Sequence, residues 1–321
     1  MEKNYIDAPE LFERRRGITF AKLDGLIRSG MKEIELESDV HMDRMALHGY
    51  QKGIRIGDDV VIDGRGHTID ALNEGRIFHI LGGNVTLKNI VFKNATAEHS
   101  HLDGGAAILN EGVLQIIDCV FEDNESPGIA GAVSNLTSME ILKSKFTGNV
   151  APHGAAVYNM GDLILDDCII ENNTAKECGV IVNMNDGQLN IKDCSFKQNS
   201  GTSLVNQAGT VQIINTKIEE ETPHDKIIND DGKLRIATSD LKYGVDGALV
   251  LNRKGMVVIE ECMIDSNSSQ GSLFENHGQL EIYGTHFKNS ESKNIIFNGK
   301  SALLGVIDCE IMNNRSLKSA I

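Results

Sequence analysis

The sequence lacks tryptophan altogether and has few other aromatic residues. Its 321 residues include five tyrosines and ten phenylalanines, so that aromatic residues make up 5% of the chain. Tryptophan and tyrosine pair a large apolar surface with a polar group, which suits them to the walls of sugar-binding grooves. Their scarcity argues against a polysaccharide-binding cleft without excluding one.

Long apolar segments are missing as well. No run of 18 apolar residues occurs, which argues against a transmembrane helix. The first residues, Met1 to Tyr5, do not have the apolar core of a secretion signal. We therefore expect a cytoplasmic protein without a membrane anchor.

Basic patches are absent from a chain that is strongly acidic. The net charge is −15, and the acidic residues are spread along the sequence rather than gathered in one block. Binding to nucleic acid requires clustered lysine and arginine side chains that neutralise phosphates. Nucleic acid is therefore not an expected partner.

Cysteine is present, but not in a pattern that indicates metal binding. The chain has six cysteines and no CxxC motif, so we expect neither a zinc site nor a cofactor. Five of the cysteines occupy one repeated position, where other copies of the repeat have mostly serine or threonine, which indicates a small buried residue. Cys168 and Cys194 fall in neighbouring copies and are close enough for a disulfide to be conceivable. Cys178 lies outside this pattern and is the thiol that we expect to be exposed.

What the sequence does contain is a repeat marked by asparagine. Nine asparagines recur at intervals of 22 to 25 residues: Asn110, Asn135, Asn159, Asn183, Asn206, Asn229, Asn252, Asn276 and Asn298. A period in the low twenties suits one turn of a strand solenoid, in which each turn buries its apolar face against its neighbours. We expect the asparagine side chains to stack as a ladder of hydrogen-bonded amides.

A second signature defines the strands of each turn. It is seen as Leu114-x-Ile116-x-x-Cys119-x-Phe121 and recurs ten times. Apolar residues that alternate with a period of two indicate a strand with one buried face, and the break in the alternation indicates a corner. A third strand ends at each asparagine. Three strands per turn and no helical spacing between them predict an all-β fold, a parallel β-helix of about ten to eleven coils.

The two ends of the repeat differ. Residues 18–29 have the spacing of a short amphipathic helix, which would cap the first coil. We accordingly divide the chain into an N-terminal capping segment at 1–50 and a β-helix at 51–321. No comparable cap is visible after the last repeat. Because an open solenoid end exposes core residues and strand edges, we predict self-association through this last coil.

Two groups of motifs carry a family resemblance. Gly104-Gly105-Ala106-Ala107-Ile108 and Phe121-Glu-Asp-Asn124 resemble the GGAI and FxxN repeats of polymorphic membrane proteins and of methanogen adhesin-like proteins. The phrase Ile62-Asp-Gly-Arg-Gly-His-Thr-Ile69 is similar to the opening coils of right-handed β-helix proteins. The resemblance covers roughly 54–311. It implies a right-handed helix and a non-catalytic, adhesin-like binding rod, with the cell surface as the alternative location and a glycan or a protein as the ligand.

Two other functions stay open. The pectin-lyase-like fold also carries polysaccharide lyases and glycoside hydrolases, so an enzyme of this kind is one alternative. Such an enzyme needs converging carboxylates or a cation-binding acidic cluster, and no catalytic motif of that kind is recognisable. We therefore assign no catalytic residue. A structural subunit of a larger assembly is the other alternative.

The most irregular loops supply the candidate binding residues. The loop at 95–103 contains His99, His101 and Asp103, and loops of later coils contain His153 and Glu177 with Cys178. Long loops on a rigid scaffold often carry binding function, and we expect these side chains to converge on one face. A His-x-His-x-Asp run can offer metal ligands, although solvated loop side chains are the commoner outcome. We predict no metal site.

Overall fold

The computed structural model describes residues 17–42, 47–97, 104–244 and 247–316. Within these ranges the chain has two short helices, α1 (Phe20–Arg28) and α2 (Leu47–Tyr50). The strands, in chain order, are β1 (Ile18–Thr19), β2 (Glu33–Glu35), β3 (Val40–His41), β4 (Ile54–Ile56), β5 (Val60–Asp63), β6 (Thr68–Asp70), β7 (Phe78–Ile80), β8 (Asn84–Lys88), β9 (Val91–Lys93), β10 (Ile108–Asn110), β11 (Val113–Ile117), β12 (Val120–Glu122), β13 (Val133–Asn135), β14 (Ser138–Leu142), β15 (Lys145–Thr147), β16 (Val150–Ala151), β17 (Val157–Asn159), β18 (Asp162–Asp166), β19 (Ile169–Glu171), β20 (Thr174–Ala175), β21 (Ile181–Met184), β22 (Gln188–Lys192), β23 (Ser195–Lys197), β24 (Leu204–Gln207), β25 (Thr210–Ile214), β26 (Lys217–Glu220), β27 (Ile227–Ala237), β28 (Asp240–Tyr243), β29 (Val250–Glu260), β30 (Met263–Asp265), β31 (Ser268–Asn276), β32 (Gln279–Tyr283), β33 (His286–Lys288), β34 (Glu291–Asn298), β35 (Leu303–Ile307), β36 (Glu310–Met312) and β37 (Arg315–Ser316).

Each turn of the chain contributes its strands to parallel rows. The first row runs from β2 and β5 to β32 and β35, and the second is a sheet of 13 strands from β1 to β36. The third row includes β10, β13, β17, β21 and β24. The first three of these strands end at a ladder asparagine, and β21 and β24 continue one residue beyond it. All of the described pairings are parallel, which confirms the predicted parallel β-solenoid, with about twelve turns.

The core lies inside the coils and is formed by stacked columns of identical or similar residues. The two aliphatic columns of the first row are buried in the interior coils, as Leu163 and Leu165 of β18 illustrate. In the second row, Phe92, Phe121 and Phe146 stack with ring centroids 4.9 and 4.7 Å apart. Five of the cysteines occupy the expected column, and all six cysteines are free thiols. Cys168 and Cys194 are neighbours without a disulfide.

The asparagine ladder is confirmed. From Asn110 to Asn276, each side-chain amide donates to the side-chain oxygen of the asparagine one coil further on, over 2.7 to 3.0 Å. These amides also donate to main-chain carbonyls at the following corner, as Asn206 does to Gly209. The corner is tight enough that a Cβ at Gly232 would collide with the amide of Asn206, so glycine is required there.

Helix α1 covers the first coil. Its side chains Phe20 and Leu23 are fully buried, and it packs against β1, β3 and β4. Asp24 on the same helix accepts hydrogen bonds from Arg28 at 2.8 Å and from the Tyr50 hydroxyl at 3.0 Å. The predicted N-terminal helical cap is therefore confirmed.

Candidate functional site

Three consecutive loops form one wall of a groove on the outside of the solenoid. They precede the third-row strands and lie at 127–129, 152–153 and 177–178. Outward-facing side chains of β17, β21 and β24 form the floor. The groove has a volume of about 440 Å³ and is lined by Pro127, Gly128, Ile129, Pro152, His153, Tyr158, Glu177, Cys178, Val182, Met184 and Gln207.

Main-chain hydrogen bonds between neighbouring coils hold these loops in place. The amides of Glu177 and Cys178 both donate to the carbonyl of Pro152, at 3.0 and 2.8 Å. One coil earlier, the amide of Ala130 donates to the carbonyl of His153 at 2.9 Å. The short strands β16 and β20 add a parallel pairing next to the same loops. The wall of the groove therefore rests on the same coil-to-coil stacking as the solenoid itself.

The floor belongs to an apolar cluster outside the solenoid wall. Val182, Val205 and Ile228 occupy equivalent outward positions on successive coils and are almost fully buried. The outer face of a sheet that borders water is usually polar, so an apolar column there needs a separate explanation. Partly buried side chains pack around this cluster: Tyr158, Cys178, Met184 and Leu251.

Few polar groups face this apolar floor. His153 Nε2 lies 3.4 Å from a Glu177 carboxylate oxygen, and both side chains are substantially exposed. Burial raises the pKa of the Tyr158 hydroxyl and also that of the Cys178 thiol. Both groups therefore stay protonated near neutral pH, and Cys178 is not an activated nucleophile. The arrangement suits binding of an apolar group beside the polar side chains of His153 and Glu177.

The predicted binding residues are only partly described. His153 lies in the groove, next to Glu177 and Cys178. His99, His101 and Asp103 lie outside the described residues. Sequence reasoning missed Tyr158, Val182 and Met184, which form the floor. The sequence signal for Tyr158 and Val182 is a pair of apolar residues directly before a ladder asparagine, as in Ile181-Val182-Asn183. A strand with one buried face would instead have a polar residue at the second position of the pair.

Metal ligands do not assemble in the part of the chain that the structure describes. Across 17–42, 47–97, 104–244 and 247–316, no group of three or more His, Cys, Asp or Glu side chains is placed to hold a metal ion. Among the same residues, no helix has the length and apolar character needed to cross a bilayer.

A second, polar groove of about 630 Å³ lies over the second row. It is lined by Asn172, Lys197, Gln198, Glu219, Glu220, Glu221, Thr222, Lys242 and Gly244. Glu220 is buried, and burial raises the pKa of its carboxyl. Both of its oxygens accept hydrogen bonds from Asn199, and one also accepts from Ser203 at 3.3 Å. The carboxylate is thus engaged by the coil wall rather than free for chemistry.

The stacked parallel coils define the class of this protein as a β-solenoid, here with a lateral groove between its loops and the outer face of its third row. A family model described as the right-handed β-helix region matches residues 37–218. The match covers more than half of the sequence, and the chain belongs to this family. No curated protein matches the chain.

Proposed function

We propose that this chain is a non-catalytic binding protein of adhesin-like type, and that the loop groove holds an apolar part of its ligand. The observation that carries the proposal is the apolar column of Tyr158, Val182 and Val205 on the outer face, next to a groove whose loops are fixed by the coils. A mostly apolar concave site with a few polar groups at its rim is the usual form of a binding pocket.

A protein ligand fits this groove better than a glycan. The lining includes Ile129, Val182 and Met184, which favour an apolar side chain over a sugar hydroxyl. The exposed His153 and Glu177 pair supplies hydrogen bonds and charge at the rim. Binding without catalysis is supported by the raised pKa values of the Tyr158 hydroxyl and the Cys178 thiol, because neither group is then a nucleophile near neutral pH.

A pair of methionine variants tests the groove. Met184 lies in it, one residue after the ladder asparagine Asn183; Met160 has the same position after Asn159 but does not line the groove. We expect Met184→Lys to abolish binding to peptide arrays probed with the purified protein, because the lysine places a charge on the apolar floor. Met160→Lys is the matched control and retains binding.

Glycan arrays and polysaccharide digestion distinguish the alternatives. Binding to glycans that is unchanged in Met184→Lys would contradict a groove for protein side chains. Release of reducing ends or of unsaturated products from polysaccharides by the purified chain would support a lyase or hydrolase instead. Cell fractionation would decide between the cytoplasmic location predicted from composition and the surface location that the adhesin-like resemblance implies.

We also propose self-association through the last described coil, as a structural assembly role beside binding. The supporting observation is the exposure of residues that are buried in every interior coil. Leu304, Val306 and Ile311 are 42%, 41% and 59% exposed, whereas their neighbours one coil earlier, Leu280, Ile282 and Phe287, are at most 2% exposed. Static light scattering of the purified chain over a range of concentrations tests it.

A further inference from the structure

Strand β35 is an edge strand without a single charged residue. It reads Leu303-Leu304-Gly305-Val306-Ile307, and among the described residues it pairs only with β32. Natural sheets usually protect their edges with charged side chains, prolines or short strands, because a flat apolar edge recruits other strands. Within the described residues, β35 has no charged side chain, no proline and no further strand beyond it.

The outward positions of β35 are also apolar, which the solenoid core does not require. Leu303, Gly305 and Ile307 align with Gln279, Glu281 and Tyr283 of β32. Leu303 is 65% exposed and Ile307 is 52% exposed. An additional coil stacked in parallel would cover the inward Leu304 and Val306 but would give no reason for these outward residues.

The order of residues in β35 is symmetric about its centre. In an antiparallel pair centred on Gly305, Leu304 lies opposite Val306 of the second strand, and both face inward. Leu303 lies opposite Ile307, and both face outward. Directly opposite side chains in such a pair are about 4.5 to 5.5 Å apart at Cβ, so every apolar residue of the strand gains an apolar partner.

We infer that β35 pairs with β35 of a second copy, antiparallel about a twofold axis at Gly305, so that two solenoids join at these ends. This interface rests on the self-association proposed above and gives it a partner and a geometry. A twofold contact uses the same patch on both copies and closes after two subunits. The opposite end of each solenoid is different in the described residues: α1 packs there against β1, β3 and β4, and the first-row strand β2 carries the exposed Glu33 and Glu35, so it does not match the apolar edge of β35.

The contact is large enough to be specific. A coil of about 24 residues at roughly 3.3 Å per residue has a perimeter of about 80 Å and encloses about 500 Å². Two such ends face to face bury on the order of 1,000 Å², which is near the lower limit for a specific protein interface. The inward residues Leu304, Val306 and Ile311 lie within this area, and the outward Leu303 and Ile307 lie along its border.

Charged substitutions on the outward face test the pairing without touching the core. We expect the wild-type chain of 35.0 kDa to show twice this mass by light scattering and analytical ultracentrifugation at tens of micromolar. Leu303→Lys with Ile307→Lys should halve the mass, because four lysines then crowd one edge. Val113→Lys is the control, since Val113 occupies the same strand position as Leu303 in an interior coil and is 52% exposed. It should remain dimeric.

A cysteine at the centre of the strand tests the geometry. A Cβ at Gly305 would meet only the Glu281 side chain, at 3.8 Å, so Gly305→Cys is tolerated. With Cys178 and Cys309 replaced by serine, this variant should form a disulfide-linked dimer under mild oxidation, because only a twofold contact brings residue 305 onto itself.

Four results would overturn the inference. The first three are a monomeric wild type throughout the concentration range, a dimer that survives both lysines, and a Gly305→Cys variant that does not cross-link. The fourth is growth beyond a dimer, which would show head-to-tail stacking. Peptide-array binding by the Leu303→Lys, Ile307→Lys protein tests the loop groove separately. If the dimer is not found, the proposal for the loop groove is still decided by the array experiment alone.

Discussion

Asn199 donates two hydrogen bonds to the carboxylate of Glu220. Its main-chain amide lies 3.0 Å from one oxygen, and its side-chain amide lies 2.9 Å from the other. Asn199 is itself the last member of a second asparagine ladder, in which each side-chain amide donates to the next at 2.9 to 3.0 Å. A carboxylate accepts hydrogen bonds and has none to donate, so Glu220 ends this ladder with a buried negative charge.

Lys226 offsets that charge from inside the same coil. Its side chain is fully buried, and its ammonium group donates to the Gly201 carbonyl at 3.3 Å and to the Thr222 hydroxyl at 2.8 Å. Burial lowers the pKa of Lys226 to about 8, while the negative charge of Glu220 counteracts that shift. The two charges therefore depend on each other.

Removing only the positive charge of the Glu220 and Lys226 pair should lower the stability of the fold. At neutral pH, Lys226→Met leaves Glu220 without its compensating charge but also removes the cost of burying an ammonium group, so we expect the free energy of unfolding to fall in urea titrations by less than the roughly 3 to 5 kcal/mol of a broken buried pair. Lys217→Met is the control, because Lys217 forms a solvent-exposed pair with Glu219 at 3.0 Å on the same strand. Its expected cost is below about 1 kcal/mol.

The double variant Lys226→Met, Glu220→Gln should recover most of the loss. Glutamine keeps an acceptor for Asn199 and removes the uncompensated charge. If the double variant were as unstable as Lys226→Met alone, the cost would come from packing of the lysine side chain and not from the charge pair.

Stability should rise with pH across the alkaline range because of Lys226. The pKa of its ammonium group is about 8 in the folded chain, against about 10.4 in an unfolded chain. The unfolded state therefore binds more protons between these values. The contribution of Lys226 is present above the unfolded pKa and is lost as the pH falls through about 8.

The difference between wild type and Lys226→Met isolates this effect. We expect the wild-type free energy of unfolding to gain up to about 1.4 kcal/mol per pH unit relative to the variant between pH 8 and pH 10. Parallel curves for the two proteins would show that Lys226 titrates normally in the folded state.

Substitutions at interior positions of the first asparagine ladder should also lower the free energy of unfolding. Asn206 accepts from Asn183 at 2.9 Å and donates to Asn229 at 2.9 Å, and its side chain is fully buried. Asn206→Leu keeps the volume but leaves both neighbours with unsatisfied polar groups. We expect a loss of about 2 to 4 kcal/mol, measured by thermal and urea unfolding.

An exposed asparagine gives the matched control for that substitution. Asn190 lies on the outward face of β22 and is exposed. Asn190→Leu should change stability by less than about 0.5 kcal/mol. Equal effects at the two positions would mean that the ladder hydrogen bonds contribute nothing beyond those of solvated amides.

The coil architecture was predictable because stacking repeats the same constraint many times. The positions of Asn110 to Asn298 fix the turn length, and the paired aliphatic columns fix the inward face. The corners show how strong this constraint is. Lys143, Thr238 and Glu261 do not favour a left-handed backbone, yet they adopt φ values of 48°, 47° and 50°, like the aspartates and asparagines at most other corners of this column. Pairing with neighbouring coils overrides the preference of a single residue.

The groove was less predictable because it depends on which outward residues the loops cover. Val182 and Val205 sit at positions where alternation predicts solvent, so the sequence does not distinguish a covered apolar column from a strand in another register. The second ladder had a visible signal in the FxxN motifs that end at Asn124, Asn149 and Asn199. Its end at Glu220 had none, since a glutamate near a corner ordinarily indicates a solvated side chain.

The thiols should fall into two classes of reactivity. Cys119 and Cys262 are buried, and burial raises the pKa of Cys119 to about 12 and that of Cys262 to about 11. Cys178 and Cys309 are only partly buried. With iodoacetamide and peptide mapping by mass spectrometry, we expect the native protein to be alkylated at Cys178 and Cys309, and at the core positions only after unfolding in urea.

Cys178 also links this measurement to the groove. Because burial raises the pKa of its thiol, alkylation should accelerate as the pH increases above 8, when more thiolate forms. A peptide selected on the array should slow the reaction at Cys178 and leave Cys309 unaffected, since Cys178 lines the groove and Cys309 lies near the last described coil. Equal protection of both thiols would indicate a general change in the protein, whereas rapid alkylation of Cys168 or Cys194 in the native chain would contradict the stacked core on which the groove rests.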